Sequence, residues 1–514
     1  MVRKQSGRWA TFTVQRYTMA EQQDELFQLI KALSKSEKKF FTQYVNIYEK
    51  GSSPIYLQLF DFLNNEPTYS EQRIFKKFHD AGFRKNFAVT KHYLKNLIVK
   101  TLRHSELTVR EDRDLMVYIL DIKRLMAKGL FPMAKKMIEK LKAEAYEEEK
   151  LNDILQLIAM QRGLISMGYY RYEPEVNLDA LDVEEEKLIE TIRQLRTVMN
   201  CSIKLVGRIN YDANVSPADN ATEIKELGKK ISVYRYEDLY SAKARHTYLQ
   251  FWAMYHSALG DYKKYQEWAD KKLNFVQNEP HPKTVTNWLV LGYNHCLASS
   301  LLTNSVQGFE ERLKLLEGMD LQSNFHDADR FQTVGIYGLL YYMRQNNTKK
   351  IEQYIDYCED GLDRLAPFIG KAFNYILRTN VAYAFLKLGR LDECTNRIND
   401  LMSLTNGETR RDYVGNVKII NLMLRYEMKE YHYLGYLLKN TYRFFITYLH
   451  ASPVHKFIIG YMKDALKTKD QKSLDALNKT ALAQLHELRF HPTEADMSLV
   501  DLMEDYLRSK QKPV

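Results

Sequence analysis

The sequence predicts an all-α chain: a right-handed α-solenoid of stacked helical hairpins with an N-terminal helical bundle. Three observations predict the all-α class. The 514 residues include 21 Gly and 11 Pro, about 4% and 2% against the usual ~7% and ~5%, so the two strongest chain-breakers are scarce. Apolar residues recur at helical spacing nearly everywhere; Leu115, Ile119, Ile122 and Met126 fall at i, i+4, i+7 and i+11. No set of alternating strands joined by hairpin turns is evident. At 45% hydrophobic and 27% charged residues, the composition is that of a globular protein and excludes wholesale disorder.

Taken from the N-terminus, residues 1–18 lack a continuous apolar stretch behind their cationic start, so no secretory signal is visible. Arg3, Lys4, Arg8 and Arg16 stand there without an acid. The segment reads as a disordered leader, with Met19 directly before the first helix. Residues 19–108 predict a basic helical bundle with helices over 20–33, 35–49, 55–64, 70–80 and 86–105. Breaks at Gly51-Ser52-Ser53-Pro54, at Asn64-Asn65-Glu66-Pro67 and at Ala81-Gly82 separate them. Ser34 with Glu37 reads as a capping box opening the second helix.

Over residues 109–450 the breaks recur. Turn signals at Gly129, Pro174, Pro217, Gly260, Asn304, Asn346, Gly389 and Lys429 lie 40 to 45 residues apart. A second series, Pro280, Asn324, Pro367 and Asn406, falls between them with a similar step. Two interleaved series of one period imply a helix–turn–helix unit of about 43 residues. Such a unit cannot bury its apolar face alone, so neighbours must stack. The uncharged stretch Thr284–Phe309 contains Asn287, Asn294, His295, Ser299 and Ser300. It is too polar to span a membrane and reads as a buried helix hairpin. Beyond Ser452-Pro453, residues 451–514 predict three capping helices, with Thr493 and Asp496 at one helix start.

The segment Asn380–Leu401, with Ala382, Ala384, Gly389, Leu391 and Leu401, resembles a tetratricopeptide repeat. Gly260-Asp261-Tyr262 and Gly129-Leu130-Phe131 followed by Ala134 resemble the same turn. The resemblance implies closely crossing helix pairs, with small residues at the crossing and glycine in the turn, over roughly residues 110–450. Cys394 and Tyr265 stand where that family usually has alanine, the closing proline is missing, and the period exceeds ~34 residues.

The net charge of +10 is unevenly placed: residues 1–110 hold 19 Lys/Arg and 10 Asp/Glu, leaving the body almost neutral. On the helix around Asn86–Arg103, Phe87, Leu94, Leu97, Ile98, Thr101 and Leu102 share one face. Lys85, His92, Asn96 and Arg103 lie opposite, flanked by Lys95 and Lys100. With Lys76 and Lys77 before an Ala81-Gly82 turn, this is a helix–turn–helix presenting a cationic helix, a geometry that enters a DNA major groove. Lys85, His92, Lys95, Lys100 and Arg103 are therefore the candidate polyanion-binding residues. Phe78 stands where such motifs need a small residue, and Lys77 and Lys91 where they need apolar ones. A solvated face, or one docking an acidic protein, accounts for the same pattern.

Catalytic patterns are missing. No G-x-x-x-x-G-K-[ST] or G-x-G-x-x-G occurs, and Gly228-Lys229-Lys230 has no glycine cradle. His486-Glu487 with His491 is one residue too long for a zinc-protease pair, and His450 and His455 diverge by ~140° on a helix. Cys201, Cys296, Cys358 and Cys394 form no C-x-x-C, and Cys394 reads as a small buried residue. Glu184-Glu185-Glu186 reads as a solvated helix start. Tyr169-Tyr170-x-Tyr172 and Tyr431-x-Tyr433 with Tyr436 either stack on a partner peptide or pack between helices. The sequence thus leads to no catalytic, cofactor or metal residue. It leads to a non-catalytic cytoplasmic interaction scaffold holding a protein or peptide in its groove, with no membrane partner. A nucleic-acid-associated regulator using the basic N-terminal bundle is the second reading.

Overall fold

A computed structural model of the chain describes residues 24–48, 54–109, 115–209, 217–280, 287–321, 323–405, 411–449, 451–468, 470–488 and 497–510. Among the described residues there are 24 α-helices and no strand. The chain divides into two compact units, 1–137 and 138–514. The leader 1–18, Met19, Gly51, Ser52, Ser53, Asn406, His450, His491, Thr493 and Asp496 lie outside the described residues.

The first unit holds α1 (Glu25–Ala32), α2 (Lys35–Tyr48), α3 (Ile55–Asn65), α4 (Glu71–Lys77), α5 (Ala81–Lys85), α6 (Phe87–Val109) and α7 (Leu115–Ala127). Helix α8 (Phe131–Glu147) begins here and ends in the second unit. Asp24 starts α1 by accepting the N–H groups of Leu26 and Phe27 at 3.1 and 3.2 Å. The Ser34–Glu37 capping box forms: the Glu37 carboxylate accepts Ser34 N–H at 2.7 Å, and Ser34 Oγ accepts Glu37 N–H at 3.2 Å. Helices α1, α2, α3 and α5 each pack on α6. Its buried Phe87, Leu94 and Ile98 meet Ile30, Phe41 and Phe60 in one apolar core.

The expected turn at Ala81-Gly82 is not a turn. Both residues belong to α5, and the chain bends instead at 78–80 and at Asn86. The cause is local: the Asp80 carboxylate accepts Phe83 N–H at 2.8 Å and caps a new helical turn there. Phe83 then stacks on Phe78 with centroids 4.8 Å apart. A short helix is therefore interposed in the expected helix–turn–helix.

The second unit continues with α9 (Leu151–Ser166), α10 (Leu178–Ile209) and α11 (Pro217–Ile231). Five hairpins follow: α12 (Ala242–Ala258) with α13 (Tyr262–Asn278), α14 (Asn287–Thr303) with α15 (Phe309–Glu317), and α16 (Asn324–Arg344) with α17 (Thr348–Arg364). Then come α18 (Lys371–Lys387) with α19 (Leu391–Leu404), and α20 (Arg411–Glu427) with α21 (Tyr431–Tyr448). Helices α22 (Pro453–Lys467), α23 (Gln471–Leu488) and α24 (Met497–Ser509) complete the unit.

The five hairpins share one turn. Gly260, Asn304, Asn346, Gly389 and Lys429 all have left-handed backbone, with φ between +51° and +74°. After each, the next residue's N–H donates to the carbonyl five positions back: Asp261 to His256, Ser305 to Ser300, Asn347 to Tyr342, Arg390 to Phe385 and Glu430 to Arg425, at 2.9–3.1 Å. This is the Schellman closure of a helix C-terminus, which satisfies an orphan carbonyl and reverses the chain. Gly and Asn adopt the conformation readily; Lys429 adopts it against its side-chain sterics.

The first helices of the hairpins stack on one another, α14 on α16, α16 on α18 and α18 on α20, and the second helices lie beside them. Burial follows position. Helix α16 buries residues on nearly every side, from Ala328 through Met343, whereas α17 buries one stripe through Ile351, Tyr354, Ile355, Cys358 and Leu362. Within this pair the crossing needs small residues: a Cβ on Gly338 would overlap the Tyr354 ring, and one on Gly361 would overlap Phe331. The unit is thus a repeat-like series of packed helices. The uncharged stretch, expected as a buried helix hairpin, forms a single buried helix, α14, with Val290, Cys296, Leu297 and Ser299 fully enclosed. Among the described residues no helix is long and apolar enough to cross a membrane.

Candidate functional site

The feature that most distinguishes this molecule is where α24 lies. Its Leu499, Val500, Met503, Tyr506 and Leu507 are buried in the same core as the hairpins. Its polar side chains meet, in order, the last residue of three successive first helices. Asp501 pairs with Arg344 of α16 at 2.7 Å. Asp505 pairs with Lys387 of α18 at 2.6 Å and accepts the Tyr383 hydroxyl at 2.6 Å. The Tyr506 hydroxyl donates to Glu427 of α20 at 2.6 Å, and Lys510 pairs with the same carboxylate at 2.7 Å. We refer to Arg344, Lys387 and Glu427 with their surroundings as the helix-end face.

The local electrostatics explain the match. A helix C-terminus carries partial negative charge, so Arg344 and Lys387 are favourably placed at the ends of α16 and α18. Arg344 also donates to the Leu301 carbonyl of α14 at 2.6 Å, tying its own hairpin to the one before. A carboxylate satisfies donors of both cations and neutralises their charge out of water. Burial and the adjacent Asp505 push the Tyr383 hydroxyl well above the ordinary tyrosine range, and burial and Glu427 do the same for Tyr506. Both hydroxyls therefore stay protonated and donate.

Elsewhere along the first helices several half-buried polar groups are amides. Asn294 of α14 donates to Thr333 Oγ1 of α16 at 3.1 Å, bridging two hairpins. Asn374 accepts from Arg378 at 2.8 Å, and Asn421 accepts from Arg425 at 3.2 Å. Asn380 Nδ2 and Asn416 Oδ1 are buried without a hydrogen-bond partner, so both retain unused bonding capacity.

A second polar cluster sits inside the first two hairpins. Lys272 is fully buried, its ammonium donating to Gln250 Oε1 at 3.0 Å, and burial pulls its pKa down to about 7. The Tyr265 hydroxyl lies 3.1 Å from His295 Nδ1, and burial holds that imidazole well below its usual range. Burial pushes the Cys296 thiol up to about 12. Cys358 and Cys394 are enclosed and pushed up likewise, so these three sulfurs behave as apolar packing atoms, as read for Cys394. Among the described residues no group of His, Cys, Asp or Glu is placed to hold a metal ion.

The candidate polyanion residues are not equivalent. Lys95 is paired with Glu25 of α1 at 2.5 Å, and its ammonium holds that carboxyl below the usual range. The neighbouring Lys91 is paired with Asp24. Lys85 lies on α5, off the helix that carries the others. His92, Lys100 and Arg103 are exposed on α6, with His92 Nε2 2.9 Å from the Asn96 amide.

Other expectations change. Glu186 is exposed as read, but Glu184 and Glu185 are partly covered by partners: Glu184 binds Lys142 at 2.7 Å and the Tyr146 hydroxyl at 2.6 Å, and Glu185 pairs with Arg162. Tyr170 is packed inside, but Tyr431, Tyr433 and Tyr436 are each about half exposed or more, on the outer side of α21. Helix α21 carries no acid, and a shallow cavity of about 310 Å³ lies beside it between Lys439, Tyr442, Arg443, Ile446 and Lys463. His455 is a capping residue, its Nδ1 accepting Ser452 N–H at 3.1 Å.

Compared with known proteins, the chain matches no protein family, no curated sequence and no solved structure. What the fold and site define is a class: an all-α chain with a repeat-like series of hairpins and a helix laid along their ends.

Proposed function

We propose that this chain is a non-catalytic interaction scaffold, a tetratricopeptide-like right-handed α-solenoid whose stacked first helices hold a segment of another protein. The observation that carries the reading is the docking of α24 along α16, α18 and α20. A surface assembled from equivalent positions of successive hairpins meets the side chains of one continuous amphipathic helix. Equivalent positions recur at a regular interval, so a linear ligand can be read stepwise along the stack.

The test is cross-linking mass spectrometry on the full chain isolated from its own cells. The scaffold reading expects a stoichiometric protein partner whose cross-links concentrate on lysines of α12 through α21. Repeated isolation without a partner, or cross-links confined to residues 1–137, would overturn it.

A further inference from the structure

We infer that α24 is an exchangeable occupant of the helix-end face, and that the same face accepts from a second protein an acidic amphipathic helix with carboxylates four residues apart. The inference rests on the scaffold reading and names the class of ligand.

Three features lead to it. First, α24 reaches the hairpin ends through its side chains: its backbone packs chiefly on α23 and α22, while α14, α16, α18 and α20 each pack on their own second helix and on one another in series. Second, the charges involved are paired across the contact between α24 and the hairpin ends. Lys387 retains 7% of its side-chain exposure and Asp505 15%, and they shelter each other. Departure of α24 removes the carboxylates that Arg344 and Lys387 pair with, so a replacement helix must bring its own. Third, the pattern is periodic. Asp501 and Asp505 sit one helical turn apart, about 6 Å along the axis. The helices whose ends they meet are spaced about 8–10 Å apart. The long arms of Arg344 and Lys387 take up the difference, so recognition depends on carboxylate spacing and tolerates variation elsewhere. A foreign helix with apolar residues at the positions of Leu499, Val500, Met503 and Leu507, and acids at those of Asp501 and Asp505, makes the same contacts.

Nucleic acid does not suit this face. Its two cations are followed by the Glu427 carboxylate, which would repel a phosphate backbone, whereas Tyr506 and Lys510 show how a helical ligand satisfies it.

The experiment uses the full chain and a fluorescein-labelled peptide of residues 497–509, read by anisotropy. Asp501→Lys with Asp505→Lys weakens the resident helix and leaves the face intact. The labelled peptide is expected to bind this variant at least tenfold more tightly than the wild-type chain. Adding Arg344→Glu and Lys387→Glu should remove that gain. Amide hydrogen exchange on the wild-type chain supplies a readout independent of any variant's folding. Met497–Ser509 should exchange through an opening of its own, measurably faster than Lys371–Lys387 and Arg411–Glu427. Equal protection across all three helices, or equal peptide binding by the wild type and the Asp501/Asp505 variant, overturns the inference. If peptide exchange fails while cross-linked partners still map to α12–α21, this inference falls and the scaffold reading stands. The converse result leaves the exchangeable helix in place and removes the external partner.

Discussion

Asp505 and Lys387 stand 118 positions apart in the chain, yet their carboxylate and ammonium meet at 2.6 Å with both side chains largely out of water. The pair joins the end of α18 to α24. Removing one partner strands the other in a desolvated place, which costs more than the pair's net worth. We expect Lys387→Met to destabilise the second unit by roughly 2–4 kcal/mol, and Asp505→Asn by less, because Tyr383 still donates to the amide oxygen. Urea melts of the two single variants and the double variant should show coupling above about 1 kcal/mol. Strict additivity would mean that the pair does not exist in solution.

Lys272 makes stability depend on pH in the alkaline direction. Its folded pKa of about 7 lies below the ordinary 10.5, so between these values the unfolded chain binds a proton that the folded chain does not. Stability attributable to this residue therefore rises as pH rises from about 7 toward 10.5, and the full penalty remains below 7. Lys272→Met should stabilise the chain at pH 7 by up to about 4 kcal/mol, the gain shrinking steadily toward pH 10. Melts at four pH values would decide it; a gain independent of pH contradicts the assignment.

Three glycines within helices should respond differently to the same change. Gly338→Ala and Gly361→Ala push a methyl into Tyr354 and Phe331, both buried, and should each destabilise by roughly 2–4 kcal/mol. Gly435→Ala on α21 meets nothing within 4 Å and should stabilise by about 0.5–1 kcal/mol through helix propensity. Thermal unfolding of the three variants tests the crossing geometry directly.

At Lys429 the hairpin turn holds a side chain in left-handed backbone, with φ of +60°. Lys429→Gly removes that strain and should raise stability by about 1 kcal/mol. Gly389→Ala, at +73°, should lower it by a similar amount. If both changes leave the melting temperature fixed, the shared turn conformation is wrong.

The turn signals at Gly260, Asn304, Asn346, Gly389 and Lys429 were legible because a Schellman closure writes itself into the residues that make it. The Ser34–Glu37 box is legible for the same reason: donor and acceptor are three positions apart. Where a single side chain redirects the backbone, local reading fails. Asp80 opens a helix across a Gly82 that looks like a turn. Longer range defeats it altogether. Glu184 looks solvated until Lys142 and Tyr146 arrive from α8. Nothing in the sequence near Asp501 or Asp505 announces partners at Arg344 and Lys387. The spacing of four between those acids was in view. Its meaning lay in the distance between neighbouring hairpins, which no window of sequence contains.

The position of α24 also bears on the order in which the molecule is made. Every helix it touches leaves the ribosome before it does, so α16, α18 and α20 are built while their ends are still uncovered. During that interval the emerging chain offers Arg344, Lys387 and Glu427 to whatever is nearby, and a cotranslational companion would meet a vacant surface that the finished molecule has already filled.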